Sequence, residues 1–123
     1  MREIKFRAWF EKFKEMYTVK MIDLQREIAY FDKYNYRSFY DINLMQYTGL
    51  KDMREKEIYE GDILSGGNNE EHYKVIFENG SFMAEFEGDF EEYSFDLINI
   101  VAQGCEVVGN IYENPELMKE GMN

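Results

Sequence analysis

The Asn79-Gly80 pair most constrains the fold of this chain. Both central residues of a type I′ turn need a positive φ, and Asn followed by Gly adopts this conformation at low energetic cost. The pair predicts a β-hairpin with apolar residues opposed on one face: Phe77 with Phe82, Val75 with Ala84, and Tyr73 with Phe86. The other face pairs Lys74 with Glu85, His72 with Glu87, and Ile76 with Met83. We expect the Ile76–Met83 pair either to be covered by an amino-terminal hairpin or to be exposed for a partner.

Strand signals precede and follow this hairpin. Alternating Ile4, Phe6, Ala8 and Phe10 predict the first strand of an amino-terminal hairpin. The apolar residues of 21–31 fit neither a clean helix nor a clean strand, and we expect residues 21–40 to form strands joined by a mobile loop. Residues 44–64, LMQYTGLKDMREKEIYEGDIL, indicate strand, turn and strand, with Gly61 allowing a sharp bend. Residues 105–112 predict a closing strand with a bulge at Gly109. Asn114 is expected to cap a short helix that begins at Pro115.

Four ordered blocks resemble the YopX family of bacteriophage and prophage proteins. They are KFRAW at residues 5–9, MQYTGLKD at 45–52, EIYEGD at 57–62 and GNIYENPEL at 109–117. The family usually has an acidic residue after the Trp, whereas Phe10 follows Trp9 here. The family also usually has a Lys-Asn-Gly-like turn after the LKD sequence of residues 50–52. In this chain Met53-Arg54-Glu55 fills that turn, and Glu55 in place of Gly indicates that no tight turn with a positive φ forms. The resemblance implies an SH3-like β-barrel and implies no biochemical activity.

The length of 123 residues fits one small domain, and no linker rich in Pro, Gly or Ser divides the chain. An aromatic content of 17% favours a mainly β protein. We predict a single domain over residues 1–123, with an amino-terminal β-hairpin extension (1–43), an SH3-like barrel (44–113) and a short carboxy-terminal helix (114–120).

The net charge of −11 is unevenly distributed. Residues 1–57 carry 12 basic and 10 acidic side chains, or +2, and residues 58–123 carry 2 basic and 15 acidic side chains, or −13. Residues 75–118 contain no Lys or Arg, so this half of the chain lacks the basic surface of a nucleic-acid-binding protein. We therefore expect no direct nucleic-acid binding and expect basic protein partners to be attracted.

The residues that most often carry catalysis are scarce. His72 is the sole histidine and would be oriented by Glu87, but Cys105 is expected on a distant strand. We therefore interpret His72 as one member of a cross-strand pair. One His and one Cys do not make a zinc site, and the glycines form no phosphate-binding motif. The sequence predicts no catalytic residue, no metal, no cofactor and no enzymatic activity.

An acidic cluster is the candidate binding surface, and it contains Glu85, Glu87, Asp89, Glu91, Glu92 and Asp96. Its spacing does not match a calcium loop, and its alternation with Phe82, Ala84, Phe86 and Phe90 indicates a solvated sheet face. Within it, Glu85, Glu87, Asp89, Glu91 and Glu92 are candidate partner-binding residues. Tyr47 and Tyr59 are further candidates, either as contact residues or as core and turn residues.

These observations favour a non-catalytic protein-binding module with an acidic face. Two alternatives are an acidic DNA mimic that occupies the basic groove of a host protein, and a self-associating structural protein that forms homo-oligomers. We expect a cytoplasmic location in a bacterial host, because the single Cys105 forms no intramolecular disulfide and the chain opens without a leader-like segment. No apolar run is long enough to span a membrane.

Overall fold

A computed structural model describes residues 2–66, 71–87 and 92–119 of the chain. The protein is mainly β and contains a curled sheet that forms half a barrel. The chain divides into two units, Met1–Tyr47 and Thr48–Asn123, which are described separately below. The expectation of a single domain with a boundary after residue 43 stays a prediction.

Residues 2–47 of the first unit form five short strands, one turn of 3-10 helix and the beginning of a sixth strand. These elements are β1 (Phe6–Phe10), β2 (Glu15–Thr18), β3 (Met21–Asp23), β4 (Ile28–Tyr30), β5 (Tyr36–Ser38), the 3-10 helix (Phe39–Asp41) and β6 (Asn43–Lys51). Strand β1 pairs antiparallel with β2 on one side and with β6 on the other. Strands β3, β4 and β5 form a separate antiparallel sheet. The predicted amino-terminal hairpin and the strands within residues 21–40 are confirmed.

Small and aromatic side chains form the core of the first unit. Its buried residues are Ala8, Phe10, Ala29 and Ile42. The rings of Tyr17 and Phe31 stack beside them, with centroids 4.4 Å apart and planes 9° from parallel. The guanidinium group of Arg37 lies 4.7 Å from the centroid of the Phe10 ring, which is the geometry of a cation–π interaction.

Trp9 shows how the chain accommodates its departure from the family pattern. The Trp9 side chain is buried, and its Nε1–H donates to the Glu11 carboxylate at 2.6 Å. Lys14 also binds this carboxylate, and the bonds from Lys14 and then Trp9 lower the pKa of Glu11. An acidic residue two positions after Trp9 therefore satisfies its indole N–H.

The second unit is built on a five-stranded antiparallel sheet. Strand β6 ends in this unit and pairs with β7 (Glu57–Tyr59). The following elements are β8 (Asp62–Ser65), β9 (His72–Glu78), β10 (Ser81–Glu87), β11 (Glu92–Asp96), α1 (Leu97–Gln103), β12 (Glu106–Asn110) and α2 (Glu116–Lys119). The strand order in the sheet is β11-β10-β9-β8-β12, so that β12 pairs with β8. The buried core residues are Ile58, Leu64, Tyr73, Val75, Ala84, Leu97, Ile100 and Cys105.

The Asn79-Gly80 hairpin is confirmed. Both turn residues have a positive φ, 53° for Asn79 and 84° for Gly80. The register places Phe77 opposite Phe82, Val75 opposite Ala84, Ile76 opposite Met83 and Lys74 opposite Glu85. The rings of Phe77 and Phe82 meet edge to face with centroids 5.1 Å apart. Ile76 and Met83 are both half-buried.

A buried carboxylate organises the turn between β6 and β7. Asp52 is 5% exposed and accepts three backbone N–H groups, from Arg54 at 2.8 Å, Lys56 at 2.9 Å and Val107 at 2.9 Å. Burial raises the pKa of Asp52, but the three hydrogen bonds outweigh it and leave the pKa below its ordinary value. Because Val107 belongs to β12, this one side chain joins the turn to the last strand of the sheet.

The prediction that Glu55 avoids a positive φ is wrong. Glu55 has a φ of 67°, in the region that glycine usually occupies. The surrounding hydrogen bonds supply the compensation: the Asp52 N–H donates to the Lys56 carbonyl, and the Glu55 N–H donates to the Asp52 carbonyl at 3.0 Å. The hydrogen-bonded turn therefore determines the conformation at this position more strongly than the side chain does.

Helix α1 was not predicted from the sequence. Leu97 and Ile100 are buried in the core, and Val101 packs against it. Asp96 immediately before the helix and the spacing of these three apolar residues are the sequence signals for it. The helix ends at Gly104, which has a φ of 91° and donates its N–H to the Val101 carbonyl.

The bulge in β12 is confirmed, since the pairing with β8 shifts between Val107 and Gly109. The Asn114 carbonyl accepts the Leu117 N–H at 3.1 Å just before α2, which is the bond that the carbonyl of an N-cap residue makes. The Asn114 side chain binds the preceding chain, where its Oδ1 accepts the Asn110 N–H at 3.2 Å, and a side-chain cap stays a prediction. Asn110 is itself buried and accepts the N–H groups of Tyr112 and Glu113. Asn110 therefore fixes the chain reversal that follows β12.

We predict that Gly109→Ala destabilises the protein by about 1–3 kcal/mol. A Cβ atom at Gly109 would lie 2.5 Å from Asn114 Oδ1, so Asn114 would have to move and release the Asn110 N–H. Urea unfolding followed by circular dichroism measures the change. Gly66→Ala is the control, because its nearest neighbour, Tyr73 Cε2, would be at an ordinary 3.5 Å. Equal stability of the two variants would contradict the steric argument.

We predict that Asp52→Asn destabilises the protein by about 2–4 kcal/mol at neutral pH, because an amide cannot accept all three N–H groups. Asp41→Asn, at an exposed aspartate, is the control and should change the stability by less than about 0.5 kcal/mol.

The same pair of proteins tests the pKa of Asp52. Because folding lowers this pKa from its ordinary 3.8, the carboxylate stabilises the folded state above that pH, and the contribution is lost as the pH falls through the folded-state pKa. Urea unfolding at several pH values should show the gap between the natural protein and Asp52→Asn narrowing in acid. A gap that stays constant would refute this assignment.

Candidate functional site

The acidic face of the five-stranded sheet is the candidate site, and β9, β10 and β11 build it. Because side chains alternate between the two faces of a strand, the register determines its members. On β9 they are His72, Lys74 and Ile76; on β10 they are Met83, Glu85 and Glu87; on β11 they are Glu92, Ser94 and Asp96. The described side chains of this face include the carboxylates of Glu85 and Asp96 and the ammonium group of Lys74, and Glu87 and Glu92 occupy register positions of the same face.

Glu85 and Lys74 form an ion pair on this face. Lys74 Nζ lies 3.2 Å from Glu85 Oε1, and the two side chains are 28% and 14% exposed. The predicted cross-strand pair is therefore confirmed. Because Glu85 is mostly covered and already paired, its charge contributes less to an outside partner than the other carboxylates of the face do.

The remaining acidic positions lie toward β11. Glu87 and Glu92 are opposite each other in the β10–β11 register, and Asp96 is exposed at the end of β11. Asp89 and Glu91 lie outside the described residues, and Glu87 and Glu92 are described by their backbone alone. The backbone therefore brings two candidate residues, Glu87 and Glu92, to adjacent register positions, where like charges repel.

Two aromatic residues, Tyr93 and Phe95, lie on the opposite face of β11, which faces the core of the second unit, and sequence reasoning missed both. Tyr93 is 46% exposed and Phe95 is 43% exposed. The Phe95 ring lies edge to face with Tyr73, at 6.2 Å between centroids, and the Tyr93 ring stacks on Phe86 at 6.4 Å. The alternation of charged or polar with aromatic residues in EYSFD, residues 92–96, was the available signal.

The two candidate tyrosines lie elsewhere. Tyr47 is 4% exposed, so its ring belongs to the interior and offers no contact area to a partner. Tyr59 is half-buried, and its backbone N–H donates to the Asp62 carboxylate at 2.8 Å. Tyr47 therefore fits the interpretation as a core residue and not that as a contact residue.

His72 is half-buried and not exposed as predicted, and the side chain of Glu87, its predicted cross-strand partner, lies outside the described residues. The His72 Nδ1 lies 2.9 Å from the Leu117 carbonyl oxygen, so the ring is half-buried and donates a hydrogen bond to the α2 segment. His72 pairs with Ser65 of β8, which also pairs with Glu106 of β12. Strand β8 therefore lies between β9, which carries His72, and β12, which directly follows Cys105. The prediction placed Cys105 farther from His72 than this.

Cys105 has the properties of a core residue. It is 1% exposed, and burial, with a smaller contribution from Asp52, raises the pKa of its thiol to about 11. The thiolate that nucleophilic attack requires is therefore scarce near neutral pH. Among the described residues, no three His, Cys, Asp or Glu side chains cluster as metal ligands, and no helix is long and apolar enough to cross a membrane.

The first unit contains an open cavity of about 410 Å³. Its lining residues are Met16, Tyr17, Thr18, Lys20, Phe31, Asp32, Asn35 and Arg37. The lining carries both signs of charge, and Asp32 already accepts the N–H groups of Tyr34 and Asn35. The lining thus has two basic groups, Lys20 and Arg37, and one carboxylate that is already hydrogen-bonded.

The comparisons agree with the resemblance found in the sequence. The model of the YopX protein family matches residues 5–119, and no curated protein matches the chain. The crystal structure of protein EF1440 from Enterococcus faecalis matches with a TM-score of 0.72 and 28% identity, over 96% of this chain and 99% of that one. The crystal structure of protein yopX from Bacillus subtilis matches with a TM-score of 0.56 and 20% identity, over 92% and 96% of the two chains, and shows a shared fold. With a family model that spans nearly its whole length, this chain belongs to the YopX family.

Proposed function

We propose that this protein is a non-catalytic protein-binding module that recognises a basic segment of another protein through its acidic face. The observation that carries the proposal is the charge of that face. Glu85 and Asp96 lie on it, Glu87 and Glu92 occupy register positions of the same face, and the single lysine, Lys74, is already paired with Glu85. A basic segment would reduce the repulsion between the remaining carboxylates when it binds.

The exposed aromatic rings support protein recognition over simple ionic attraction. Tyr93 and Phe95 offer exposed apolar area on the other face of the same strand, β11, and aromatic residues are enriched at protein–protein contacts. A charged surface with adjacent aromatic anchors both attracts a partner and holds it.

We also propose a specific barrel type, a phage origin and a cellular location for this protein. We propose that the half barrel is an SH3-like barrel, supported by the antiparallel sheet and by the sharp bend at Gly61, which has a φ of 85°. A bacteriophage or prophage origin and a cytoplasmic location in the bacterial host belong to this proposal as well, supported by membership of the YopX family.

The acidic face is tested by affinity capture from a bacterial lysate, read by mass spectrometry. The baits are the natural protein, a face variant (Glu87→Gln, Glu92→Gln, Asp96→Asn) and a control variant (Glu3→Gln, Glu27→Gln, Glu55→Gln) that loses the same charge at exposed positions elsewhere. We expect the natural and control baits to retain a partner that the face variant loses. This partner should dissociate between about 50 and about 500 mM salt, because the attraction is electrostatic.

Identical recovery by all three baits would refute recognition through the acidic face. Addition of duplex DNA separates the alternatives: a partner displaced by DNA supports a DNA mimic, whereas retention supports a module that binds a basic protein segment. A light-scattering mass of two or more chains for the natural protein alone would instead support the self-associating alternative.

The non-catalytic part of the proposal is tested at Cys105. Because its thiol pKa is raised to about 11, we expect a disulfide reagent at about pH 8 to label the folded protein at least about 100-fold more slowly than the urea-unfolded protein. The absorbance of the released thiol measures both rates. Rapid labelling of the folded protein would reveal an activated thiol and contradict the proposal.

A further inference from the structure

We propose that β11 is a docking strand, to which an extended basic segment of a partner adds as the next strand of the five-stranded sheet. This inference rests on the proposed function and specifies how the partner is held. In the docked complex, backbone hydrogen bonds between β11 and the partner segment provide part of the affinity, and the side chains on the two faces of β11 provide the selectivity.

The first step is the position of β11. In the part of the chain that the structure describes, β11 is the last strand of the order β11-β10-β9-β8-β12 and pairs along its whole length with β10. Alternate residues of such a strand direct backbone N–H and C=O groups away from the sheet, where an added strand can bind them. Its five residues, EYSFD, are long enough for a short ladder.

The second step is the distribution of side chains on this strand. Glu92, Ser94 and Asp96 lie on the acidic face, and Tyr93 and Phe95 lie on the aromatic face. An added strand places its side chains about 4.5–5.5 Å from those directly opposite. The partner segment should therefore alternate, with Lys or Arg on the acidic face and apolar residues beside the two rings.

The third step disfavours a second copy of β11 as the occupant. In two antiparallel copies centred on Ser94, the backbone position of Glu92 in one chain would oppose that of Asp96 in the other. Like charges directly opposite each other are unfavourable in a sheet. Charged edges are a common way in which proteins prevent such self-pairing. A basic strand removes the repulsion and replaces it with attraction.

The test uses synthetic peptides and fluorescence anisotropy. One peptide alternates lysine and valine over nine residues, and a second has the same composition in two blocks. We expect the alternating peptide to bind at least about tenfold more tightly, because only it presents each face with the matching side chains. The face variant should lose most of this preference, and the control variant should keep it.

Two N-methylated forms of the alternating peptide identify the backbone contribution. In one form the even-numbered amides are methylated, and in the other the odd-numbered amides are. An edge strand uses only alternate amides of its neighbour, so one form should lose at least about tenfold in affinity and the other should bind nearly as well as the parent.

The outcomes separate the two proposals. Equal binding of the alternating and block peptides, unaffected by either methylation, would overturn the docking strand and leave recognition by charge standing. Failure of every basic peptide to bind would refute the acidic face as a site for basic segments and the docking strand with it. Binding that depends on the alternation and on one set of amides supports both.

Discussion

The second unit depends on one buried carboxylate that is fully satisfied by backbone donors. Asp52 accepts N–H groups from both ends of its own turn and from Val107, so the turn after β6 and the last strand share a single side chain. A buried charge without such partners would destabilise the fold. With them, it holds together segments that are 55 positions apart in the sequence. The unusual backbone at Glu55 follows from this arrangement.

The blocks that identify the family coincide with junctions of this kind. Asp52, Asp62 and Asn110 belong to the three later blocks, and each is buried and binds backbone N–H groups of neighbouring residues. The matching motifs are thus explained by the requirements of the scaffold. The surface that we assign to recognition, on β10 and β11, lies between the second and third of these later blocks, so family membership specifies the scaffold and leaves its ligand unspecified.

The sequence predicted those features that local chemistry determines. Asn79 and Gly80 determine the hairpin and its register because few residue pairs accept two positive φ angles. Features determined by hydrogen bonds of the folded chain were mistaken. The φ of Glu55 depends on hydrogen bonds within its turn, and His72 binds a carbonyl contributed from residue 117. Helix α1 was missed although its residues Leu97, Ile100 and Val101 have helical spacing, because seven residues are too few for a strong periodic signal. For the candidate site, the sequence supplied the acidic residues, whereas the pairing of Glu85 and the exposure of Tyr93 and Phe95 required coordinates.

The link between Asp52 and Val107 also has a consequence for how the chain is made. During synthesis the turn after β6 leaves the ribosome long before β12, and its carboxylate then has only the two donors from its own turn. One edge of β8 likewise stays unpaired until β12 has been synthesised. Closure of the second unit is therefore a late, non-local event, and contacts of this kind slow folding because a long loop must be ordered before they form. Until then the nascent chain presents an uncovered strand edge, which a co-translational chaperone would be suited to protect.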